Sequence, residues 1–268
     1  MKKHLSVLLA IIMLVMLVGC SSAPKGDSSQ VLNDYYQKIK DSNVEGAYDL
    51  LSEASKKNFA KEDFVEWQSM QKQVSTLKNF KVEKTSESKN TELDGVKYKN
   101  IVEFTVTETD FDMYQNKEDN INYKRDVVND NGVWKIYRGK ENGKELIAEV
   151  SNSLAYLYIE GKGGKTKDLN QAATILNNGI KSSQDFASIY YTLAAVYKDL
   201  GRTDEALSSI NTFLSKETDN KNKSDGYNVL GTIYISKHDA DNAKNAYNKA
   251  LELNPDNQYA KTNLASLN

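Results

Sequence analysis

The spacing of apolar residues changes several times along this chain. Residues 5–18 form an almost unbroken apolar run. From residue 30 to about residue 78, apolar residues recur every three or four positions, which predicts amphipathic helices. Apolar and polar residues then alternate from Val96 to Val106, which predicts a strand with one buried face. The helical spacing returns in the second half of the chain.

Residues 30–145 are predicted to form one α+β domain. Phe64, Trp67 and Val74 mark the last of its helices, and strands follow it. The segments "NYKRDVVND" and "GVWKIYRG" read as two further strands, which are joined by the turn "NDNG". Helices followed by antiparallel strands are typical of the α+β class.

The order of elements in this domain resembles the nuclear transport factor 2-like (cystatin-like) superfamily. The resemblance is carried by "DYYQKIKDSNVEGAYDLLSEASKKNF" at the start and "VVNDNGVWKIY" at the end. It implies a cone-shaped domain, in which helices pack on a curved antiparallel sheet and a pocket lies at the open end. Because that fold hosts both enzymes and binding modules, the resemblance alone does not decide the function.

The predicted α+β domain shows no obvious catalytic group. It contains no histidine, and Glu103 lies on the strand face opposite Val102. Glu108, Asp110 and Asp112 cluster near a strand end, where we expect them to be solvated. Since general acid–base catalysis needs converging polar groups, we predict no catalytic site here.

Two segments of the second half repeat each other at a spacing of 37 residues. "YYTLAAVYKDLGRTDEALSSINTFL" aligns with "YNVLGTIYISKHDADNAKNAYNKALELNP", so that Ala194 matches Gly231. The pattern resembles the tetratricopeptide repeat family, whose unit is two antiparallel helices with a period of ~34 residues. We place the three extra residues in the loop "DNKNKSDG" between the units. His238 is expected at a turn, opposite Gly201.

A degenerate unit precedes these two. "LAYLYIEGKGGKTKDLNQAATIL" has the same helix pattern with a longer turn, similar to the Sel-like variant of the repeat. "EGKGGK" lacks the ending and the preceding strand of a phosphate-binding loop, so we interpret it as that turn. Ala260, Leu264 and Leu267 predict a short capping helix. Residues 146–268 are therefore predicted to be an all-α domain of helical hairpins.

The N-terminus has the layout of a secretory signal. Lys2 and Lys3 precede the apolar run, which is shorter than the ~20 residues that a membrane-spanning helix needs. Leu17 to Cys20 resembles the lipobox of bacterial lipoproteins, which implies a signal peptide over residues 1–19 and a diacylglyceryl anchor on Cys20. Residues 20–29 would be a flexible tether. The alternatives are an ordinary cleaved signal and an uncleaved membrane helix.

Composition excludes several classes of function. Cys20 is the only cysteine, and the two histidines are His4 and His238, so the folded part has no disulfide, no thiol nucleophile and no usual zinc site. The chain has 35 basic and 37 acidic residues, which does not favour nucleic-acid binding. We predict no enzymatic activity, no metal and no cofactor. Lysine and asparagine outnumber arginine, which favours a Gram-positive host and the extracytoplasmic face of its cell membrane.

The resemblance to tetratricopeptide repeats also implies a binding groove, lined by fixed positions of each first helix. Here those positions include Tyr156, Ile159, Tyr191, Lys198, Asn228, Thr232 and Ile235. Chaperone-binding members form a carboxylate clamp from lysine, arginine and asparagine at such places. Most of the residues here are apolar or aromatic, which favours an apolar or aromatic peptide. Tyr156 and Ile159 could instead pack against the first domain.

Two functions follow from these predictions. The first is a non-enzymatic, lipid-anchored interaction scaffold at the cell surface, whose repeats bind a protein or peptide. The alternative is a small-ligand-binding or enzymatic α+β domain that the repeats position. Polar residues converging inside the cone would favour the alternative.

Overall fold

A computed structural model describes residues 24–267 of the chain. The predicted signal peptide and Cys20 lie outside the described residues. Within residues 24–267, the structure contains no helix with the length and apolar character that spanning a membrane requires.

The α+β domain consists of α1 (Ser28–Lys40), α2 (Val44–Tyr48), α3 (Glu53–Asn58), α4 (Lys61–Val74), β1 (Ser75–Leu93), β2 (Val96–Asp112), β3 (Lys117–Asp130) and β4 (Val133–Tyr137). The repeat domain consists of α5 (Gly143–Glu160), α6 (Leu169–Ser182), α7 (Ala187–Asp199), α8 (Thr203–Lys216), α9 (Asn220–Ser236), α10 (Ala240–Leu253) and α11 (Gln258–Ala265).

The first helix starts earlier than expected. The Asp27 carboxylate accepts a hydrogen bond from the Ser29 backbone N–H at 2.9 Å, which caps the helix. Ser28 is buried in the first turn. The last two residues of the predicted tether, 28 and 29, are therefore helical, and the prediction of a tether is wrong for them.

The sheet is an antiparallel meander in the order β1-β2-β3-β4. Asn131 and Gly132 connect β3 to β4, both with positive φ, as a two-residue hairpin turn requires. Asp94 and Gly95 make the same kind of connection between β1 and β2. The α+β class is confirmed, whereas β1 is a strand that the apolar pattern did not indicate.

The core of the α+β domain lies between α1, α2, α4 and one face of the sheet. Leu32, Tyr35 and Phe64 supply its helical side, and Phe104 and Val106 supply its sheet side; all five are buried. The alternation on β2 begins later than predicted, because Val96 is exposed. Val96 adjoins the β1–β2 hairpin turn, where it pairs with Leu93 at the end of the two strands.

The repeat domain consists of three helical hairpins and a capping helix. Gly201 and His238 occupy equivalent turns, with φ of 73° and 60°, so the alignment of these two positions is correct. A Cβ atom on Gly231 would overlap the ring of Tyr247 on the paired helix. Glycine at this position therefore allows the two helices of the last hairpin to approach closely.

The segment "DNKNKSDG" is not a loop between units. Asp219 caps α9 by accepting a hydrogen bond from the Asn222 N–H at 2.9 Å, and the helix begins at Asn220. The extra residues lengthen α9 to 17 residues, compared with 13 in α7. After this added turn, Gly226 of α9 lies against the ring of Phe213 in the preceding unit.

The two domains are joined through α5. This helix begins at Gly143, so the predicted boundary between residues 145 and 146 falls in its first turn. The backbone of Gly143 packs against Phe59 of the α+β domain. At the other end, the "EGKGGK" turn contacts the β2–β3 hairpin, where Lys162 Nζ lies 3.7 Å from the centroid of the Tyr114 ring. The turn therefore has a structural role as a contact between domains.

Candidate functional site

The first helices of the three hairpins, α5, α7 and α9, lie side by side and carry the predicted groove residues. The Thr192 hydroxyl on α7 donates to the Tyr156 hydroxyl on α5 at 3.3 Å. Tyr156 and Tyr191 are both half-buried. The structure therefore brings these two tyrosines to one surface, next to each other.

Tyr191 is anchored more firmly than a free groove residue would be. Its ring meets Phe213 edge-on, with 5.3 Å between the centroids. Burial, together with the nearby Asp225, Tyr156 and Tyr259, raises the pKa of Tyr191 to about 12. The hydroxyl thus stays protonated and can donate a hydrogen bond at any physiological pH.

The remaining predicted residues have different surroundings. Asn228 Oδ1 accepts from Asn263 Nδ2 at 2.8 Å, and Lys198 pairs with Asp199 at 3.1 Å. The Thr232 hydroxyl donates to a backbone carbonyl of its own helix. Ile159 packs against the core of the repeat domain, whereas Ile235 is 39% exposed.

Two residues of this surface, Asp225 and Tyr259, were missed. Lys198 and Ile235 lie near the C-terminal ends of α7 and α9, about 10 Å along the helix axes from Tyr191 and Asn228. Asp225 and Tyr259 lie close enough to Tyr191 to raise its pKa, so they belong to the same region of the repeat domain. Tyr259 belongs to the capping helix α11, and repeat positions are not defined for a cap. The side chain of Tyr259 is 75% exposed, so its aromatic ring lies on the surface of the protein.

A second site lies in the α+β domain, where α1, α4, the sheet and α5 line a cavity of about 790 Å³ that opens to solvent. Glu108 and Asp110 of β2 point into it. The expectation that these carboxylates are solvated is therefore wrong. They continue the buried face that begins with Phe104 and Val106, because alternate residues of a strand share a face.

The cavity contains a chain of hydrogen-bonded hydroxyl groups. The Tyr123 hydroxyl donates to Glu108 Oε1, and the Tyr36 hydroxyl lies 2.6 Å from that of Tyr123. Burial raises the pKa of Glu108 above its ordinary value, and the hydrogen bond from Tyr123 only partly opposes this. Burial also raises the pKa of Asp110, whose Oδ1 atom is buried without a hydrogen-bond partner.

One wall of the cavity is a buried cluster of charges. Arg125 Nη1 donates to Glu141 Oε1 at 2.8 Å, and Arg138 Nε donates to Glu141 Oε2 at 2.7 Å. Burial acts to raise the pKa of Glu141, but the two guanidinium groups outweigh it and hold that pKa below its ordinary value. Arg138 also donates to the Tyr35 hydroxyl at 2.9 Å and stacks over Trp67. The prediction that polar groups do not converge in this domain is wrong.

Neither site has the donor set of a metal centre. Among residues 24–267, no three histidine, cysteine, aspartate or glutamate side chains are grouped to hold a metal ion.

Comparison with known proteins identifies the repeat region. Residues 140–268 match the model of the tetratricopeptide repeat-like domain family. The predicted repeats are thus confirmed. The heat shock protein STI1 of Saccharomyces cerevisiae is 32% identical over 99 residues, which is 37% of this chain and 16% of the yeast protein. The chain thus spans about a sixth of the length of that relative.

Solved tetratricopeptide structures resemble the same region at low identity. The Arabidopsis OM64 domain is 22% identical with a TM-score of 0.42, covering 46% of this chain and 96% of its own. The N-terminal domain of stress-induced protein-1 from C. elegans is 17% identical with a TM-score of 0.41, covering 47% and 98%. The first repeat domain of Spaghetti (RPAP3), solved with the HSP90 peptide SRMEEVD, is 21% identical with a TM-score of 0.40, covering 46% and 91%.

Proposed function

We propose that this chain is a protein-interaction scaffold whose repeat domain binds an extended peptide on the surface formed by α5, α7, α9 and α11. The observation that carries the proposal is the group of tyrosines on these helices. Tyr156, Tyr191 and Tyr259 come from three of them, and Tyr156 and Tyr259 lie close enough to Tyr191 to raise its pKa. Tyrosine rings supply contact area while their hydroxyls supply hydrogen bonds, which suits peptide recognition.

The chemistry of this surface favours an aromatic or apolar peptide over an acidic one. Tyr191 lies beside Asp225, which would repel a carboxylate. Asn228, at a position that chaperone-binding members use for a clamp, is already bonded to Asn263. Lys198, the one lysine among the predicted groove residues, is paired with Asp199 and lies further along α7. The predicted groove residues therefore offer no unpaired positive charge for a peptide carboxylate.

A peptide-display library tests this proposal, because it samples acidic, basic, apolar and aromatic peptides alike. Selection on the purified full chain is expected to enrich peptides that contain aromatic or large apolar residues. Replacing Tyr259 by serine should weaken their binding while leaving the fold intact, because the side chain is 75% exposed. Val133→Ser is the matched control, since Val133 is also exposed but lies in the sheet domain.

Three outcomes of the binding measurements would contradict the proposal. They are enrichment of peptides ending in acidic residues, equal binding to the Tyr259→Ser variant, and weakened binding to the Val133→Ser variant. A loss of thermal stability in Tyr259→Ser would show that the ring belongs to the core, which would also contradict it.

The proposal also includes where the chain is located and which fold its α+β domain has. A diacylglyceryl group on Cys20 would hold the chain at the extracytoplasmic face of the membrane, and its two acyl chains would give a durable anchor. The α+β domain, which we propose to be nuclear transport factor 2-like, would lie between the anchor and the repeats. Because polar groups converge in its cavity, a ligand-binding role for this domain is the second candidate function.

A further inference from the structure

The charges of the two buried arginines in the α+β cavity are mostly neutralised by a carboxylate of the protein itself. Arg125 and Arg138 share the carboxylate of Glu141, at 2.8 and 2.7 Å. The guanidinium of Arg125 also stacks over the Tyr123 ring, and that of Arg138 stacks over Trp67, each with 5.1 Å to the ring centroid. Their charges are thus largely balanced within the protein, although Arg125 Nε is buried without a hydrogen-bond partner.

The carboxylates of Glu108 and Asp110 are in the opposite situation. Within the described residues, the Glu108 carboxylate accepts a hydrogen bond from the Tyr123 hydroxyl, and neither carboxylate forms an ion pair with a lysine or arginine. Arg138 and Arg125 act on Glu108 only at longer range, and the side chain of Ser75 acts on Asp110, but burial outweighs both effects and raises the pKa of each carboxylate. Asp110 Oδ1 is buried without a hydrogen-bond partner. A buried carboxylate without a counter-ion is unfavourable, so each of these groups would gain from a nearby positive charge.

The sum of the charges on the inner residues of the cavity also indicates that a positive charge is missing there. Arg125 and Arg138 contribute two positive charges, whereas Glu108, Asp110 and Glu141 contribute three negative charges when ionised. One negative charge is therefore unbalanced inside the cavity. Lys40, Lys72 and Glu149, which line its outer part, are exposed to solvent, so their charges are screened by water.

The walls around these carboxylates are aromatic and apolar. The rings of Tyr36, Trp67 and Tyr123 and the side chains of Ile39 and Leu77 line the cavity. Its volume of about 790 Å³ lies within the range of sites for small molecules, which is ~300–1,000 Å³. Aromatic faces attract cations, and apolar surfaces accept a hydrocarbon body.

We propose that this cavity binds a small organic cation, an amine or ammonium compound with an apolar or aromatic body, through Glu108 and Asp110. A single positive charge balances the inner charges. The body of the ligand lies against Tyr36, Tyr123 and the apolar wall. Leu146 and Val150 of α5 close the cavity, so the bound cation also contacts the first helix of the repeat domain.

Isothermal titration calorimetry on the purified full chain tests this proposal with three probes. Phenylethylamine, phenylethanol and phenylpropionate share one aromatic body and carry a positive, a neutral and a negative group. Phenylethylamine is expected to bind about tenfold or more tightly than the other two, because it alone makes a charge-assisted bond to the carboxylates.

A matched pair of variants locates the site. Glu108→Gln should weaken phenylethylamine binding by about tenfold or more, while the amide oxygen can still accept the Tyr123 hydrogen bond. Glu103→Gln should leave binding unchanged, because Glu103 lies on the other face of β2 and bonds to Thr85 and Lys124. The fluorescence of Trp67 and the thermal transition of each variant check that the domain is folded.

Several results would overturn the proposal. Tighter binding of phenylpropionate would mean that the arginines are the anchor. Equal binding of all three probes would mean that the cavity selects only an apolar body. No binding of phenylethylamine at millimolar concentration, or equal binding to the folded Glu108→Gln variant, would remove the assigned site.

Discussion

Replacing Glu141 by glutamine tests how the α+β domain is held together. Glu141 is 31% exposed and lies between two guanidinium groups, of which that of Arg138 is 8% exposed. Arg202 and Glu205 form a pair with the same spacing in sequence, but these side chains are 46% and 49% exposed. The substitutions Glu141→Gln and Glu205→Gln therefore remove the same chemical group in two environments.

The expected losses of stability differ because the Arg138–Glu141 pair is mostly shielded from water, whereas the Arg202–Glu205 pair is exposed. Removing one partner of a buried ion pair typically costs 3–5 kcal/mol, since the remaining charge is left without compensation. Glu141 is partly exposed, so we expect a loss of about 3 kcal/mol in the free energy of unfolding. Glu205→Gln should have a much smaller effect, because water screens an exposed pair.

Tryptophan fluorescence during urea unfolding measures this difference. Trp67 and Trp134, the only two tryptophans of the chain, both belong to the α+β domain, so the signal reports on that domain. A shift of the Glu141→Gln transition no larger than that of Glu205→Gln would refute the assignment of a buried charge cluster.

The pH dependence provides a second check. The pKa of Glu141 is held below its ordinary value in the folded state, so the pair stabilises the domain fully above the ordinary value of 4.5. The stabilisation is lost as the pH falls through the folded-state pKa, because the carboxylate becomes protonated. The gap between the wild-type protein and Glu141→Gln should therefore be constant near neutral pH and narrow in acid. A gap that persists in strong acid would refute the electrostatic explanation.

Two further substitutions address other parts of the chain. Gly231→Ala should destabilise the repeat domain by about 1–3 kcal/mol, because the added methyl group would overlap the Tyr247 ring. Thermal unfolding followed by circular dichroism measures this loss. An unchanged transition temperature would contradict the close packing of the two helices. Cys20→Ser should abolish lipid attachment and leave the protein unprocessed or shed, as mass spectrometry of membrane and soluble fractions would show. A variant that is processed, lipidated and still in the membrane would contradict the proposed anchor.

The repeats could be predicted from the sequence because their contacts are local. A small residue on the first helix of a hairpin packs against a large side chain of the second helix, as at Gly231 and Tyr247, so the requirement appears as a short, repeated pattern. β1 could not be predicted in this way, because most of its residues are exposed and few are apolar. It becomes a strand by pairing along β2, where Val82 lies opposite Val106. Such pairing depends on residues distant in sequence.

The polar lining of the cavity was missed for a related reason. The alternation that correctly buried Phe104 and Val106 also applies to Glu108, but acidic residues at a strand end were expected to be solvated. The charge cluster forms because of the register between β3 and β4, which the sequence pattern does not show. Asp126 pairs with Tyr137, which brings Arg125 of β3 beside Arg138, just after β4. No local pattern indicates that two arginines of separate segments share one carboxylate.

Helix α5 shows why the two halves of this chain cannot be described as independent pieces. Its Leu154 and Leu157 are buried in the core of the repeats, while Leu146 packs against the core of the α+β domain. Tyr156 on the same helix reaches the proposed peptide surface. A helix with partners on several faces cannot shift at one face without disturbing the others. A fragment that ended at residue 145 would lose the helix that closes its cavity, and one that began there would expose the apolar residues that meet the sheet domain.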